Sequence, residues 1–220
     1  MSLRVVSYNV RALQDDVSAL ERTVRALDPD VLCLQEAPYI GPVGHRIAAF
    51  AERCHLVWSG REQRAGQTTL LTSLRTQVRQ VRHHPLPTAG LLDRRGTAVA
   101  QMALVGGPEV TVASVHLGLQ PQQRVEHARR ILELLGPGPA VIAGDLNEEA
   151  DGAAWQLLAQ RMAPVSPVEP TFPADAPRRS LDVVMATADL QAGPHEAVPL
   201  VEEDLVAGTD HRPVWADLTW

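Results

Sequence analysis

PQQRVEHARRILELLGPGPAVIAGDLN, residues 121–147, decides the class of fold. Its first half, Pro121–Leu135, is an amphipathic helix, with Val125, Ala128, Ile131, Leu132 and Leu135 on its apolar side. Gly136–Pro139 ends that helix. Ala140–Ala143 follows as a buried strand, and it delivers Gly144-Asp145-Leu146-Asn147, a turn with two polar side chains. A helix feeding an apolar strand predicts a mixed α/β domain.

The flanking chain repeats the pattern. Leu3–Tyr8 reads as a strand ending at Asn9. Val17, Leu20, Val24 and Leu27 have helical spacing after the acidic start Asp15-Asp16, Ser18 and Glu21 fit a capping box, and Pro29 ends the helix. Val31–Gln35 is an apolar strand running into Glu36, and a second helix fits Ile47–Arg53. Leu56–Ser59, Thr68–Leu74, Gln77–Val81, Thr97–Val105 and Val110–Leu117 read as strands, with Gly106-Gly107 a hairpin signal. Ala153–Arg161 reads as a helix, and Leu181–Ala186 and Pro213–Leu218 as late strands. Ala163–Arg179, rich in Pro, suits a long surface loop. Strands outnumber helices, which predicts sheets covered by helices on their outer faces. The 220 residues show no repeat and no linker, so one domain over 1–220 is expected.

Composition excludes several classes. Hydrophobic residues are 45% and charged residues 21%, which argues against disorder. No apolar run reaches the roughly 18 residues of a membrane span. Met1–Val10 is too short and polar for a signal peptide, so a cytoplasmic location is expected, with no membrane partner. Cys33 and Cys54 are the two cysteines, too few for a disulfide scaffold or a thiolate zinc site. All 20 basic residues are Arg against 26 acidic ones, a net charge of −6. That balance lacks the footprint of a strong duplex-DNA binder, although Arg94-Arg95 and Arg178-Arg179 could form a local patch.

The chemistry lies where the strands end. Asn9, Glu36, His116, Asp145 and Asn147 follow apolar runs, and Asp182, Asp210 and His211 add to them near the other terminus. Each alone has an ordinary explanation: a strand-terminal Asp forms turns or caps helices, and an imidazole in a strand is often a core residue. Their joint coincidence with strand ends is what those explanations leave out. Loops at strand ends converge on one crevice. Carboxylates gathered there need a compensating cation, and oxygen donors without thiolates suit Mg²⁺ or Mn²⁺ better than zinc. A divalent ion with two histidines is equipped for chemistry at phosphoryl oxygens.

In order along the chain stand Ser7-Tyr8-Asn9-Val10, Leu34-Gln35-Glu36, Val115-His116-Leu117, Gly144-Asp145-Leu146-Asn147, Leu181-Asp182-Val183-Val184 and Thr209-Asp210-His211-Arg212-Pro213-Val214. This set resembles the endonuclease/exonuclease/phosphatase family. The resemblance implies a four-layer α/β sandwich: two mixed β-sheets packed face to face, with helices on the outside. It implies that Asn9, Glu36 and Asp210 hold the metal, with Glu36 the principal ligand. Asp145 would orient or deprotonate the attacking water or bind a second metal, and Asn147 would donate to the phosphate or the nucleophile. Asp182 would support His211 as general base or transition-state stabiliser. His116 would contact the phosphate and protonate the leaving group; which histidine is acid and which is base stays open. Arg95 and Arg179 are candidates for the substrate phosphate. In Arg179-Ser180-Leu181-Asp182 the arginine that usually precedes this Asp by two positions is displaced by one.

The expected activity is therefore a metal-dependent phosphodiesterase, nuclease-like, on a nucleic-acid or small-molecule phosphodiester. Alternatives are a phosphatase or phosphodiesterase of small molecules or phospholipid headgroups, and, less favoured, a non-catalytic binding module on the same fold. No obligate protein partner is evident.

Overall fold

The computed structural model describes residues 2–59, 66–88, 94–104, 106–195 and 197–220. The strands are β1 (Leu3–Asn9), β2 (Val31–Gln35), β3 (Thr69–Thr72), β4 (Thr76–Pro85), β5 (Gly96–Leu104), β6 (Glu109–His116), β7 (Ala140–Asp145), β8 (Met162–Pro164), β9 (Asp182–Thr187), β10 (Gln191–Ala192) and β11 (Val214–Thr219). The α-helices are α1 (Val17–Leu27), α2 (Val43–Arg53), α3 (Pro121–Leu135), α4 (Ala153–Ala159) and α5 (Glu202–Gly208).

One sheet has the order β10-β11-β1-β2-β3 and the other β4-β5-β6-β7-β9-β8. Each is mixed, with one parallel pair: β1 beside β2, and β6 beside β7. Parallel neighbours need a crossover, and α1 and α3 supply it. Apolar side chains fall into three buried clusters. Val5, Cys33, Leu70, Ala100, Val112, Ala143, Val184 and Ala216 meet between the sheets. Leu20, Val24, Ile47 and Phe50 of α1 and α2 pack on Val6, Leu32 and Leu34 of the first sheet. Ala128, Ile131, Trp155 and Leu158 of α3 and α4 pack on Val115, Ile142 and Val183 of the second. Helices, two facing sheets and helices again make the expected four-layer sandwich. Every residue of β2, β7 and β9 is buried, because these strands have neighbours on both edges and layers on both faces.

Several local expectations change. Asp16, not Ser18, caps α1: its Oδ1 accepts from the amides of Ser18 and Ala19 at 2.9 and 3.1 Å. Glu21 is instead buried and paired with Arg53 at 3.2 Å. Helix α2 begins at Val43, four residues before the expected Ile47, because both residues lie buried on one helical face. Leu56–Ser59 contributes only a bridge, Val57 to Thr72. Val105, the expected end of β5, lies outside the described residues. Ala163–Arg179 is not simply a surface loop, since it holds β8's last residues, a bridge from Phe172 to Arg179 and the buried Thr171. Both cysteines are buried and free, and burial pushes their thiols well above the ordinary range. No helix among the described residues is long and apolar enough to cross a membrane.

Candidate active site

The two crossovers bring the polar strand ends together. Asn9 stands opposite Gln35 where β1 meets β2, so Glu36 follows at the same edge. In the other sheet His116, Asp145 and Asp182 stand side by side on β6, β7 and β9. At this end the Asn9 amide bridges the sheets: Asn9 Nδ2 donates to Glu36 Oε1 and Asp145 Oδ2, each at 3.2 Å. The residues thus do not share one sheet edge; they share one end of the sandwich. Gly144 makes the approach of β7 to β6 possible, since a Cβ there would run into the Val115 carbonyl oxygen.

Asp145 is the hub. Its Oδ1 accepts the Asn147 amide at 2.8 Å, and its Oδ2 lies 3.5 Å from His116 Nε2 and 3.8 Å from His211 Nε2. Burial pushes its carboxyl up to about 7, and the neighbouring Asp182 charge adds to the rise. His116 is driven the other way: burial, then the Arg95 charge, hold its imidazole neutral well below its ordinary value.

His211 is held from behind. Its Nδ1 lies 2.8 Å from Asp182 Oδ2, the bond that turns Nε2 toward Asp145. Burial lowers its pKa, but Asp182 more than reverses this and brings it to about 9. Asp182 Oδ2 also accepts from Thr171 Oγ1 at 2.6 Å, and Phe172 packs on the His211 ring at 4.9 Å between centroids. Thr171 and Phe172 belong to the Pro-rich stretch, where composition suggested only a loop. Their signal lies in the fold, not in the local sequence.

The expected metal ligands surround Asn9. Asp210 is not bonded to Glu36; the two are linked through Asn9 and Arg11. The Arg11 amide donates to Asn9 Oδ1 at 3.1 Å, and its Nε pairs with Asp210 Oδ2 at 3.5 Å. Thr209 Oγ1 donates to the Asn9 carbonyl at 2.9 Å and fixes the segment before Asp210. Arg11 was not singled out by the sequence; its one signal is its position two residues after Asn9. It reaches Asp210 because Arg11, Ala12 and Leu13 all take left-handed backbone, with φ of 42°, 57° and 51°. Arg46 Nη2 holds that turn by donating to the carbonyls of Ala12 and Leu13 at 2.8 and 2.7 Å.

The other candidates fall as follows. Asn147, at φ 50°, donates one amide proton to the Leu117 carbonyl at 3.0 Å and so ties its turn to the end of β6. Arg95 stands near enough to His116 to influence its charge. Arg179 pairs through its backbone with Thr171 and Phe172, while its side chain is exposed.

This donor set fits a hard cation. Glu36, Asp145, Asp182 and Asp210 converge beside Arg11 and His211, with the Arg95 charge close to His116. The offered atoms are oxygens, with neither cysteine among them. Asp145, Asp182 and His211 also present ligand atoms within 4.8 Å of one another. The His211 Nδ1 bond to Asp182 accounts for that trio as a hydrogen-bonded chain. Glu36 and Asp210 are half-buried and so nearer solvent, while Asn9, which links them, is fully buried.

A model of the endonuclease/exonuclease/phosphatase family matches residues 6–211. The chain belongs to that family. By family it is a phosphoesterase. Solved structures agree in fold. An endonuclease/exonuclease/phosphatase from Bacteroides vulgatus superposes with a TM-score of 0.78 at 16% identity, covering 100% of this chain and 99% of that one. A mannosyl-6-phosphatase from Bacteroides thetaiotaomicron VPI-5482 gives 0.75 at 17% identity over 100% of both chains. The human Nocturnin catalytic domain with bound sulfate gives 0.73 at 17%, covering 99% and 94%. At such identities the likeness is one of fold. Comparison with curated proteins by sequence gives no match.

Proposed function

We propose that the chain is a divalent-metal-dependent phosphodiesterase, nuclease-like, that hydrolyses its substrate by attack of water. The supporting observation is the Asp145 carboxylate, buried and within 3.2–3.8 Å of Asn9, His116 and His211 from both sheets. A carboxylate raised toward neutrality, a neutral imidazole and a charged one are the pieces of acid–base work on a phosphoester. Asn9, Glu36 and Asp210 would hold Mg²⁺ or Mn²⁺. When bound, that ion polarises the phosphoryl oxygen and offsets its developing charge.

The chain's own groups do the rest. Asp145 orients the attacking water and takes its proton at Oδ2. His211, charged because Asp182 sits behind it, directs Nε2–H at the negative charge of the transition state. His116, neutral in its buried place, contacts the phosphate through Nε2, and the departing oxygen takes its proton from the charged His211. Arg95 and Arg179 are proposed to contact the substrate phosphate.

A second reading, hydrolysis of a small phosphoester, is favoured by the net charge of −6, which does not attract polyanions. Hydrolysis of bis-p-nitrophenyl phosphate and of plasmid DNA, each with Mg²⁺, Mn²⁺ or EDTA, tests the proposal. Metal-dependent cleavage that Glu36→Ala and His211→Ala abolish supports it, and cleavage retained in both folded variants refutes the roles. A steep loss with salt marks a nucleic-acid substrate, and a flat response marks a small one.

A further inference from the structure

Directly after Glu36, Ala37 and Pro38 lead into a pocket of about 210 Å³ that no role assigned above uses. Pockets that enclose a drug-sized ligand run to roughly 300–1,000 Å³, so this one has room for a single ring system. One wall is apolar. Val43 and Ile47 of α2 form its buried part, with Trp58 and Tyr39 beside them. The Trp58 indole is fixed by donating to Thr69 Oγ1 at 2.9 Å. Tyr39 is 55% exposed, an aromatic ring left in solvent beside the candidate active site.

The facing wall is polar. The Gln67 carbonyl accepts the Ala37 amide at 2.8 Å, which ties this wall to the strand end bearing Glu36. The half-buried Gln67 carboxamide makes no hydrogen bond or ion pair among the described residues. His83 stands nearby, and burial keeps its imidazole neutral, with its pKa down to about 4. Among the described residues no carboxylate lines the pocket, and Arg94 is its one cationic lining residue.

These walls select a ligand chemistry. An acyl chain would cover the Gln67 carboxamide and leave it unpaired. A sugar, although it can lay a C–H face on an aromatic ring, carries hydroxyls around its whole rim and would set several of them against the aliphatic Val43 and Ile47. A planar heterocycle with apolar faces and a hydrogen-bonding edge satisfies both walls, since aromatic side chains stack on any base and a carboxamide matches a base edge in two directions. We propose that this pocket receives the base of a nucleotide whose phosphate lies at the Glu36–Asp145 centre, with Tyr39 and Trp58 stacking on the base and Gln67 bonding its edge. The placement of the phosphate rests on the phosphodiesterase reading; the affinity of the pocket for a base does not.

Two measurements separate these. In the first, metal-free protein in EDTA is titrated with adenosine 5′-monophosphate and with ribose 5-phosphate while tryptophan fluorescence is followed. The nucleotide is expected to quench through Trp58 and the base-free sugar phosphate to have little effect. Trp58→Phe removes the signal, and Tyr39→Ala weakens binding roughly tenfold, the lower-middle of what one stacked base contributes. In the second, cleavage of a short oligonucleotide is compared with that of a copy carrying an abasic tetrahydrofuran next to the scissile phosphate. Loss of the base is expected to lower kcat/KM about tenfold in the wild type, and that ratio to shrink toward one in Tyr39→Ala and Gln67→Ala. Equal response to nucleotide and sugar phosphate, or cleavage indifferent to the base, overturns the proposal. Quenching by the nucleotide without turnover of any phosphodiester upholds the pocket and refutes the catalytic reading.

Discussion

Asp182→Asn isolates the charge that governs His211. The substitution keeps the shape and an oxygen that accepts from His211 Nδ1 and Thr171 Oγ1, now 2.8 and 2.6 Å from Asp182 Oδ2. It removes the negative charge and puts an amide nitrogen in place of the buried, unpartnered Oδ1, a cost that does not vary with pH. Burial by itself lowers the His211 pKa, and Asp182 is the largest of the influences that bring it up to about 9 from an ordinary 6.5. The gap corresponds to about 3 kcal/mol, with little solvent screening at this buried site. Because the folded pKa is raised, the stabilisation is fully present below 6.5 and is lost as pH climbs through about 9. Asp182→Asn should therefore destabilise the metal-free protein about 3 kcal/mol more below 6.5 than above 9. Denaturant unfolding in EDTA at the two ends of that window measures the difference. Imidazole NMR should show His211 titrating near 9 in the wild type and well below that in the variant. A variant His211 that still titrates near 9, or a penalty independent of pH, refutes the pairing as the source of the charge.

Other expectations follow from the same geometry. Asp145 holds its proton to about 7 instead of 3.8, so stability of the metal-free protein should fall as pH rises across that window. Excess Mg²⁺ should restore melting temperature most at the upper end, and an equal effect at both ends would contradict the cation fit. Thr171→Val removes a bond to a buried carboxylate and should cost about 1.5–3 kcal/mol in unfolding free energy, with Thr171→Ser recovering most of it. Gly144→Ala forces β7 away from the Val115 carbonyl. It should cost about 1–3 kcal/mol and lower kcat on a phosphodiester, with circular dichroism unchanged.

The legible parts of the fold were those whose signals are local. Helix α3 and strand β7 have strong periodicity between Pro121 and Gly136 and a continuous apolar run after it, and both stand where expected. Asn9, Glu36, His116 and Asp145 were legible for the same reason, as polar residues ending apolar strands. The capping box misled because Ser18 and Glu21 have the right spacing, whereas Asp16 lies two residues nearer the start and Glu21 finds Arg53. The left-handed turn at Arg11–Leu13 has no glycine to announce it. It is imposed by Arg46 and by the Ala12 amide bonding the Glu36 carbonyl at 2.6 Å, contacts that exist only in the folded chain. Thr171 was hidden in a Pro-rich segment whose composition says loop, and only the antiparallel return to Arg179 places it under Asp182. Pairing of His211 with Asp182 came from family resemblance; spacing alone does not join residues 29 apart in sequence.

The most direct measurement compares, on one preparation, the Mn²⁺ bound at equilibrium with the rate of bis-p-nitrophenyl phosphate hydrolysis as Mn²⁺ is raised. The site described here predicts that binding and activation rise together, and that Glu36→Ala loses both while keeping its fold. Hydrolysis that proceeds without bound Mn²⁺, or Mn²⁺ binding and turnover that survive in Glu36→Ala, would contradict it.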